Sequence, residues 1–147
     1  MYQSQFSATQ RGLLSALWIS VLIQTVFRDI HQLVKPGFLD EIADGVFQGT
    51  VVTDWHFLFG AVILQLPIWM IVLSHALSDR SLVVTHRIAV PLMSVMPFLA
   101  WPSDPDDWFH TLMQFIALGA MLYVARPNAR PVDENVDKCH LAVTESP

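Results

Sequence analysis

The sequence predicts an all-α protein, a four-helix transmembrane bundle with a short amphipathic segment between spans one and two. Of the 147 residues, 53% are hydrophobic and only 14% are charged, whereas a soluble domain carries about 25% charged residues. The mean hydropathy is +0.45. Four apolar stretches are also long enough for helices that cross a hydrocarbon core, which is roughly 30 Å thick and takes about 20 residues.

The four predicted spans follow one another along the chain, separated by proline or polar turns. Proline at position 36 cannot continue the hydrogen-bond ladder of a helix, so it ends the first span. The spans are residues 12–34, 56–77, 82–101 and 108–125. We therefore predict a single membrane domain over residues 1–125 and a polar, disordered tail over residues 126–147.

The third span is the least apolar of the four, because it holds His86 and Arg87 close to its start. We expect both side chains to extend toward the membrane interface; a half-buried segment that does not cross is the alternative. Between the first two spans, residues 38–54 form an acidic, amphipathic connection whose apolar side chains can share one face of a short helix. This connection is predicted to lie on the membrane surface.

An even number of spans places both termini and the second connection on one side of the membrane. The basic residues on that side are Arg11, Arg80, Arg87, Arg126, Arg130 and Lys138. The opposite side carries Lys35, with Arg28 just inside the membrane, beside several aspartates. Since lysine and arginine concentrate on the cytoplasmic side, we predict a multi-pass integral membrane protein with both termini in the cytoplasm.

Composition also limits the partners and cofactors. The net charge of −5 and the lack of a basic stripe argue against nucleic acid. The single cysteine, Cys139, permits neither an internal disulfide nor a cysteine metal cluster. No phosphate-binding loop is present, and we expect no cofactor. The expected partners are membrane lipid and a hydrophobic small-molecule substrate, with a homo-oligomer left open.

Polar and charged side chains collect at the non-cytoplasmic ends of the spans. Gln24, Arg28 and His31 share one helix face, and Asp29 lies on another, toward headgroups or a neighbouring helix. Arg28 is predicted at membrane depth, where an ionisable side chain is a functional-site hypothesis by default. The catalytic candidates are Arg28, Asp29, His31, Asp54, His56, Asp107 and His110; the substrate-binding candidates are Gln24, Gln65, Gln114 and Trp108.

Proton transfer fits these residue types. A histidine or carboxylate in a partly dry pocket can exchange a proton with a lipophilic molecule while Arg28 stabilises an oxyanion. A zinc or iron site is a weaker option, without a local motif, and its donors are His31, His56 and His110 with Asp54 or Asp107. A purely structural role is the alternative for each residue, because acids at helix N-termini are favoured by the helix dipole. Gln65, close to Pro67, is expected to satisfy backbone groups freed by the proline.

Four motifs lie in the first half of the chain: RDIH at 28–31, PGFLDE at 36–41, GT at 49–50 and LPIWMIVLS at 66–74. Together they resemble an uncharacterised family of small four-span membrane proteins. The resemblance covers roughly the first three spans, and RDIH followed by PGFLDE is its most specific part. It implies a four-helix membrane bundle and no particular activity.

We expect a small integral membrane enzyme or biosynthetic accessory that acts on a lipophilic molecule such as a terpenoid, polyketide or quinone. The expected reaction is cyclisation, isomerisation or another proton transfer. A cofactor-free oxygenase of anthrone-like substrates is the second enzyme hypothesis. The alternative class is a non-catalytic transporter subunit, scaffold or lipid-binding module, in which the polar residues matter only for folding.

Overall fold

Helices make up most of the protein, as the sequence predicts. The computed structural model describes residues 6–47, 49–98, 102 and 104–126, and nearly all of the predicted tail lies outside this part of the chain. Within the described part, the helices are α1 (Ala8–Leu33), α2 (Phe38–Ala43), α3 (Asp54–Ala76), α4 (Asp79–Val95) and α5 (Pro105–Val124). A 3-10 turn, Met96–Phe98, follows α4. Strands β1 (Val46–Phe47) and β2 (Thr50–Val51) form an antiparallel hairpin between α2 and α3.

Each long helix begins two to four residues before its predicted span, at positions 8, 54, 79 and 105 rather than 12, 56, 82 and 108. Polar first turns account for the difference, since they are helical without being apolar. In α1, the Ser7 hydroxyl accepts from the backbone N–H of Gln10 at 3.2 Å, and the Gln10 side chain accepts from the Ser7 N–H at 2.9 Å. This capping box satisfies two backbone donors at the helix start.

Three helical segments are long and apolar enough to cross a membrane: α1, α3 and the stretch Asp79–Phe98. Their outer surfaces are apolar as well, and α3 alone exposes Phe57, Phe59 and Trp69 by 57–65%. Soluble proteins rarely expose large contiguous apolar patches. These features suggest a membrane protein.

Helix α1 is central to the packing, because it contacts both α3 and α5, while α4 packs against α5 and α3. Trp18 and Val21 of α1 are fully buried, together with Met70 of α3, Met93 of α4 and Met121 of α5. One core therefore joins all four long helices.

Arg11 links three helix ends. Its Nη1 donates to the carbonyl oxygens of Ser74 at 3.1 Å and Leu77 at 2.8 Å, at the end of α3. Its Nη2 contacts Asp79 at 2.6 Å, in the first turn of α4. Carbonyl groups at a helix end lack intrahelical partners, so Arg11 satisfies groups that would otherwise be unpaired. The start of α1 thus lies beside the end of α3, and the two helices run antiparallel.

His86 does not extend toward the interface as expected, because its side chain is fully buried in the core. Its Nε2 accepts from the indole N–H of Trp18 at 3.1 Å, and its Nδ1 lies 2.9 Å from the carbonyl oxygen of Leu82. This arrangement fits a neutral ring, since Nε2 accepts only when it carries no proton. Arg87, the next residue, is exposed.

Replacing His86 with leucine should destabilise the fold by about 1–3 kcal/mol, because the indole N–H of Trp18 would stay buried without an acceptor. The free energy of unfolding can be measured in detergent micelles by denaturant titration with far-UV circular dichroism. His75→Leu, at an exposed position of α3, is the matched control. Equal stability of the two variants would contradict a structural role for the buried pair.

Candidate functional site

A cavity of about 630 Å³ lies between α1, α3 and the end of α4. Its size falls within the range of roughly 300–1,000 Å³ that small-molecule sites have. The connection between α1 and α3 covers it, through Ile42 of α2, Phe47 of β1 and Val51 of β2. Three of its other apolar lining residues are Leu64, Met93 and Met96. The cavity can therefore hold an apolar molecule.

A few polar side chains interrupt this apolar wall. Thr25, Arg28 and Asp29 line the cavity from α1, His56 lines it from α3, and Gln114 lines it from α5. Arg28 and Asp29 thus face the same space, although we expected Asp29 to point elsewhere. A small number of polar groups in an apolar wall is typical of sites that orient a ligand.

Arg28 is held by two other elements. Its Nη1 donates to the carbonyl oxygen of Pro97 at 3.3 Å, and its Nε lies 3.5 Å from Oδ1 of Asp107. The Arg28 side chain is 12% exposed and that of Asp107 is 0% exposed. Away from water, the attraction between two opposite charges is screened less, but each charge also loses its hydration. Such a pair is favourable only in a good geometry, so the position of Arg28 relative to Asp107 is strongly constrained.

Asp107 is the centre of a charged cluster at this end of the bundle. The Gln32 side chain donates to both of its carboxylate oxygens at 2.9 Å, and Lys35 Nζ lies 3.8 Å from its Oδ2. Lys35 also pairs with Asp104, which precedes α5. Asp107 lies in the first turn of α5, where the helix dipole favours negative charge. These contacts place the end of α1 beside the start of α5, so the two helices run antiparallel.

The charge of Lys35 is favoured by its neighbours. Burial opposes the protonated form, but the hydrogen bond to Asp104 and the charges of Asp107, Asp104 and Asp106 outweigh it and raise the pKa of Lys35 above 10.5. The protonated lysine therefore stabilises the fold at pH values below 10.5. That stabilisation is lost as the pH rises through the raised pKa.

His31 and His110 lie between α1 and α5 and do not line the cavity. Their ring centroids are 5.3 Å apart. His110 Nδ1 lies 2.5 Å from the side-chain oxygen of Gln24. His31 Nδ1 is 3.6 Å from Asp106 Oδ2 and has no hydrogen-bond partner among the residues that the structure describes. We call the group formed by Gln24, His31, Asp106, Asp107 and His110 the polar seam. It adjoins the cavity through Arg28, which contacts Asp107.

Three of the candidates lie apart from both features. Asp54 is exposed in the first turn of α3, Gln65 is exposed in the middle of α3, and Trp108 is 47% exposed on α5. Gln65 makes no hydrogen bond with any described residue, so it does not satisfy a carbonyl freed by Pro67. His56 lines the cavity but is largely exposed, and its Nδ1 accepts from the backbone N–H of Thr53 at 3.1 Å.

The donors of the suggested metal site are not brought together. His56 lies at the cavity, whereas His31 and His110 lie in the polar seam. Among the described residues, no three histidine, cysteine, aspartate or glutamate side chains are grouped to hold a metal ion.

Two partners in the charged cluster, Lys35 and Asp104, are not among the site residues that the sequence predicts. The sequence indicates them only as charges on one side of the membrane. A signal was nevertheless present, since Arg28 lies near the end of α1 and Lys35 follows it, while Asp104 precedes α5 and two more aspartates lie in its first turn. Two antiparallel neighbours bring such helix ends together, and opposite charges then pair.

The three membrane-length segments suggest the class of a helical membrane protein. A family model described as a family of unknown function, DUF6326, matches residues 1–94. Because this match covers more than half of the 147 residues, the chain belongs to that family. Comparison with curated proteins and with solved structures found no match. The matched residues include α1, the hairpin, α3 and most of α4, and hence most of the cavity wall.

The pKa of Lys35 can be measured by NMR, because the chain has only two lysines, Lys35 and Lys138. With ¹³C-labelled lysine, the Lys35 signal should titrate above pH 10.5, and Asp104→Asn should lower its pKa. Asp40→Asn, on α2, is the control and should leave the pKa unchanged. Titration of Lys35 at or below 10.5 in the wild type would show that the aspartates do not hold its charge.

Proposed function

We propose that this chain is a four-span membrane protein that binds a lipophilic small molecule in the cavity and promotes proton transfer on it. The observation that carries this function is the pairing of an apolar cavity of about 630 Å³ with a guanidinium and a carboxylate in one wall. Such a wall supplies both a proton acceptor and a cation for developing negative charge.

The residues of the wall suggest their roles. In an isomerisation, Asp29 accepts a proton from a carbon next to a carbonyl group, and the C–H electron pair moves toward the carbonyl oxygen. Arg28 stabilises the oxyanion that forms. The same acid then returns the proton to another carbon, so no other reactant is consumed. Asp107 acts as a positioning residue, since it contacts Arg28 and does not line the cavity.

The chemistry of the cavity favours a substrate that partitions into the bilayer. A terpenoid, polyketide or quinone would bury apolar surface against side chains such as Phe57, Ile63 and Met96. Its carbonyl or hydroxyl group would reach Arg28 or Gln114. A highly charged metabolite would lose hydration without enough polar partners, which makes it a poor fit.

Helix α5 supports the fourth span. It has 20 residues, which corresponds to a length of about 30 Å, near the thickness of the hydrocarbon core. Its polar residues Asp107 and Gln114 are buried, while Phe109, Leu112 and Ile116 are 56–58% exposed. A helix with polar groups inside and apolar groups outside is suited to lipid, even though its average composition is less apolar than that of α3.

Charge at the two ends of the bundle supports an orientation with both termini in the cytoplasm. Arg11 and Arg80 lie at the end where α1 begins and α4 begins, and Arg126 follows α5. The opposite end holds Lys35 among the aspartates that precede and begin α5. The positive-inside rule places the first of these ends in the cytoplasm.

Filling the cavity tests this function directly. Gly60 lines the cavity, and a Cβ built there meets no atom within 4 Å, so Gly60→Leu fills the space without a clash at Cβ. In a gene-deletion strain, metabolite profiling of lipid extracts should show a lipophilic precursor that wild type clears. Gly60→Leu, expressed at the wild-type level, should clear it at least about tenfold less well, which corresponds to 1.4 kcal/mol.

Gly119→Leu is the matched control, because Gly119 is a helical glycine with equally open space and lies outside the cavity lining. It should complement fully. Complementation by Gly60→Leu would rule out the cavity as the functional site. Asp29→Asn separates chemistry from binding: if it clears the precursor normally while Gly60→Leu fails, the chain is a non-catalytic lipophile-binding module.

A further inference from the structure

Helix α3 carries one polar side chain on an otherwise apolar exposed face. Gln65 is the twelfth of its 23 residues and therefore lies at the middle of a membrane-length helix. Its side chain is exposed and makes no hydrogen bond with any other residue that the structure describes. Two glutamines of α1 do have hydrogen-bonding partners, since Gln24 contacts His110 and Gln32 contacts Asp107.

An amide in hydrocarbon requires a partner. Water is absent from the bilayer core, and an unsatisfied donor or acceptor there is costly. The middle of the core is about 15 Å from either interface, which a glutamine side chain cannot span. Gln65 therefore needs a hydrogen-bonding partner at the same depth in the membrane, and none of the described residues of its own chain supplies one.

The residues around Gln65 have the spacing of an interface between two paired helices. Leu58, Val62, Gln65, Trp69 and Val72 are separated by four, three, four and three residues. All five are exposed, the four apolar ones by 52–59%. A 4-3 repeat keeps one face toward a partner helix in a left-handed pair, and a single polar residue in such an interface fixes the register of the two helices. A groove of about 450 Å³ on α3, lined in part by Leu58 and Val62, offers space for side chains of the partner.

We propose that a second copy of this chain docks on this face of α3, and that the two Gln65 amides hydrogen-bond to each other across a two-fold axis. Every copy inserts with the same orientation, so two α3 helices pair in parallel and position 65 meets itself. An amide is self-complementary, since each carries an N–H donor and a carbonyl acceptor. The dimer is independent of the proposed proton-transfer function.

The dissociation constant of the dimer can be measured by Förster transfer between labelled copies in phosphatidylcholine vesicles over a range of protein densities. Gln65→Leu should raise it about tenfold, because the two amide hydrogen bonds are lost. Gln65→Asn keeps the amide and should stay within about threefold of wild type. Ile23→Ala, on an exposed position of α1, is the control and should have no effect.

Cysteine crosslinking locates the interface. In a Cys139→Ser background, Gln65→Cys should give a covalent dimer on oxidation with copper phenanthroline, and Ile23→Cys should not. Far-UV circular dichroism confirms that each variant is folded. A wild type that is monomeric at all densities, or a dissociation constant unchanged by Gln65→Leu, would overturn the dimer and leave a lipid or a different membrane protein as the partner of Gln65.

Discussion

The carboxylate of Asp107 is the charge on which the arrangement of this bundle depends. It is completely buried in the first turn of α5, and a buried charge persists only where partners compensate for its lost hydration. Arg28 and Gln32 supply two of these partners from one face of α1, and Lys35 supplies a third from just beyond the end of this helix. Because Arg28 and Gln32 are four residues apart, they lie on the same face of α1, and this face turns toward α5. The carboxylate thereby fixes both the rotation of α1 and the register of α5.

Arg28 connects this constraint to the cavity. Its Nη1 reaches the carbonyl oxygen of Pro97, so the end of α4 is tied to the same cluster. At the other end of the bundle, Arg11 joins α1 to the end of α3 and the start of α4. The cavity lies between helices that contact one another through hydrogen bonds and ion pairs at both ends of the bundle. The guanidinium of Arg28 in its wall is therefore positioned without a ligand. A guanidinium that is positioned in advance is what the proposed stabilisation of an oxyanion requires.

The helical class and the positions of α1 and α3 follow from apolar run length, and helical periodicity placed Gln24 on the face that meets His110. Contacts between segments that are far apart in the chain could not be predicted from the sequence. The bond between Trp18 and His86 joins residues 68 positions apart, and a histidine near the start of a span reads equally well as interfacial. The candidate residues also separate into a cavity and a seam, because a rotation of 100° per residue sends Asp29 and His31 to different neighbours. The mean hydropathy of α5 is lowered by polar residues that lie inside the bundle, among them Asp107, Thr111 and Gln114.

A double-mutant cycle on Arg28 and Asp107 tests most directly whether their contact organises the bundle. The free energy of unfolding would be measured in micelles for wild type, Arg28→Met, Asp107→Asn and the double variant. We predict a coupling free energy of about 1–3 kcal/mol, since each single change leaves a buried polar or charged partner uncompensated and the double change removes both. Additivity within about 0.5 kcal/mol would show that the two residues are not energetically linked, and would contradict the account.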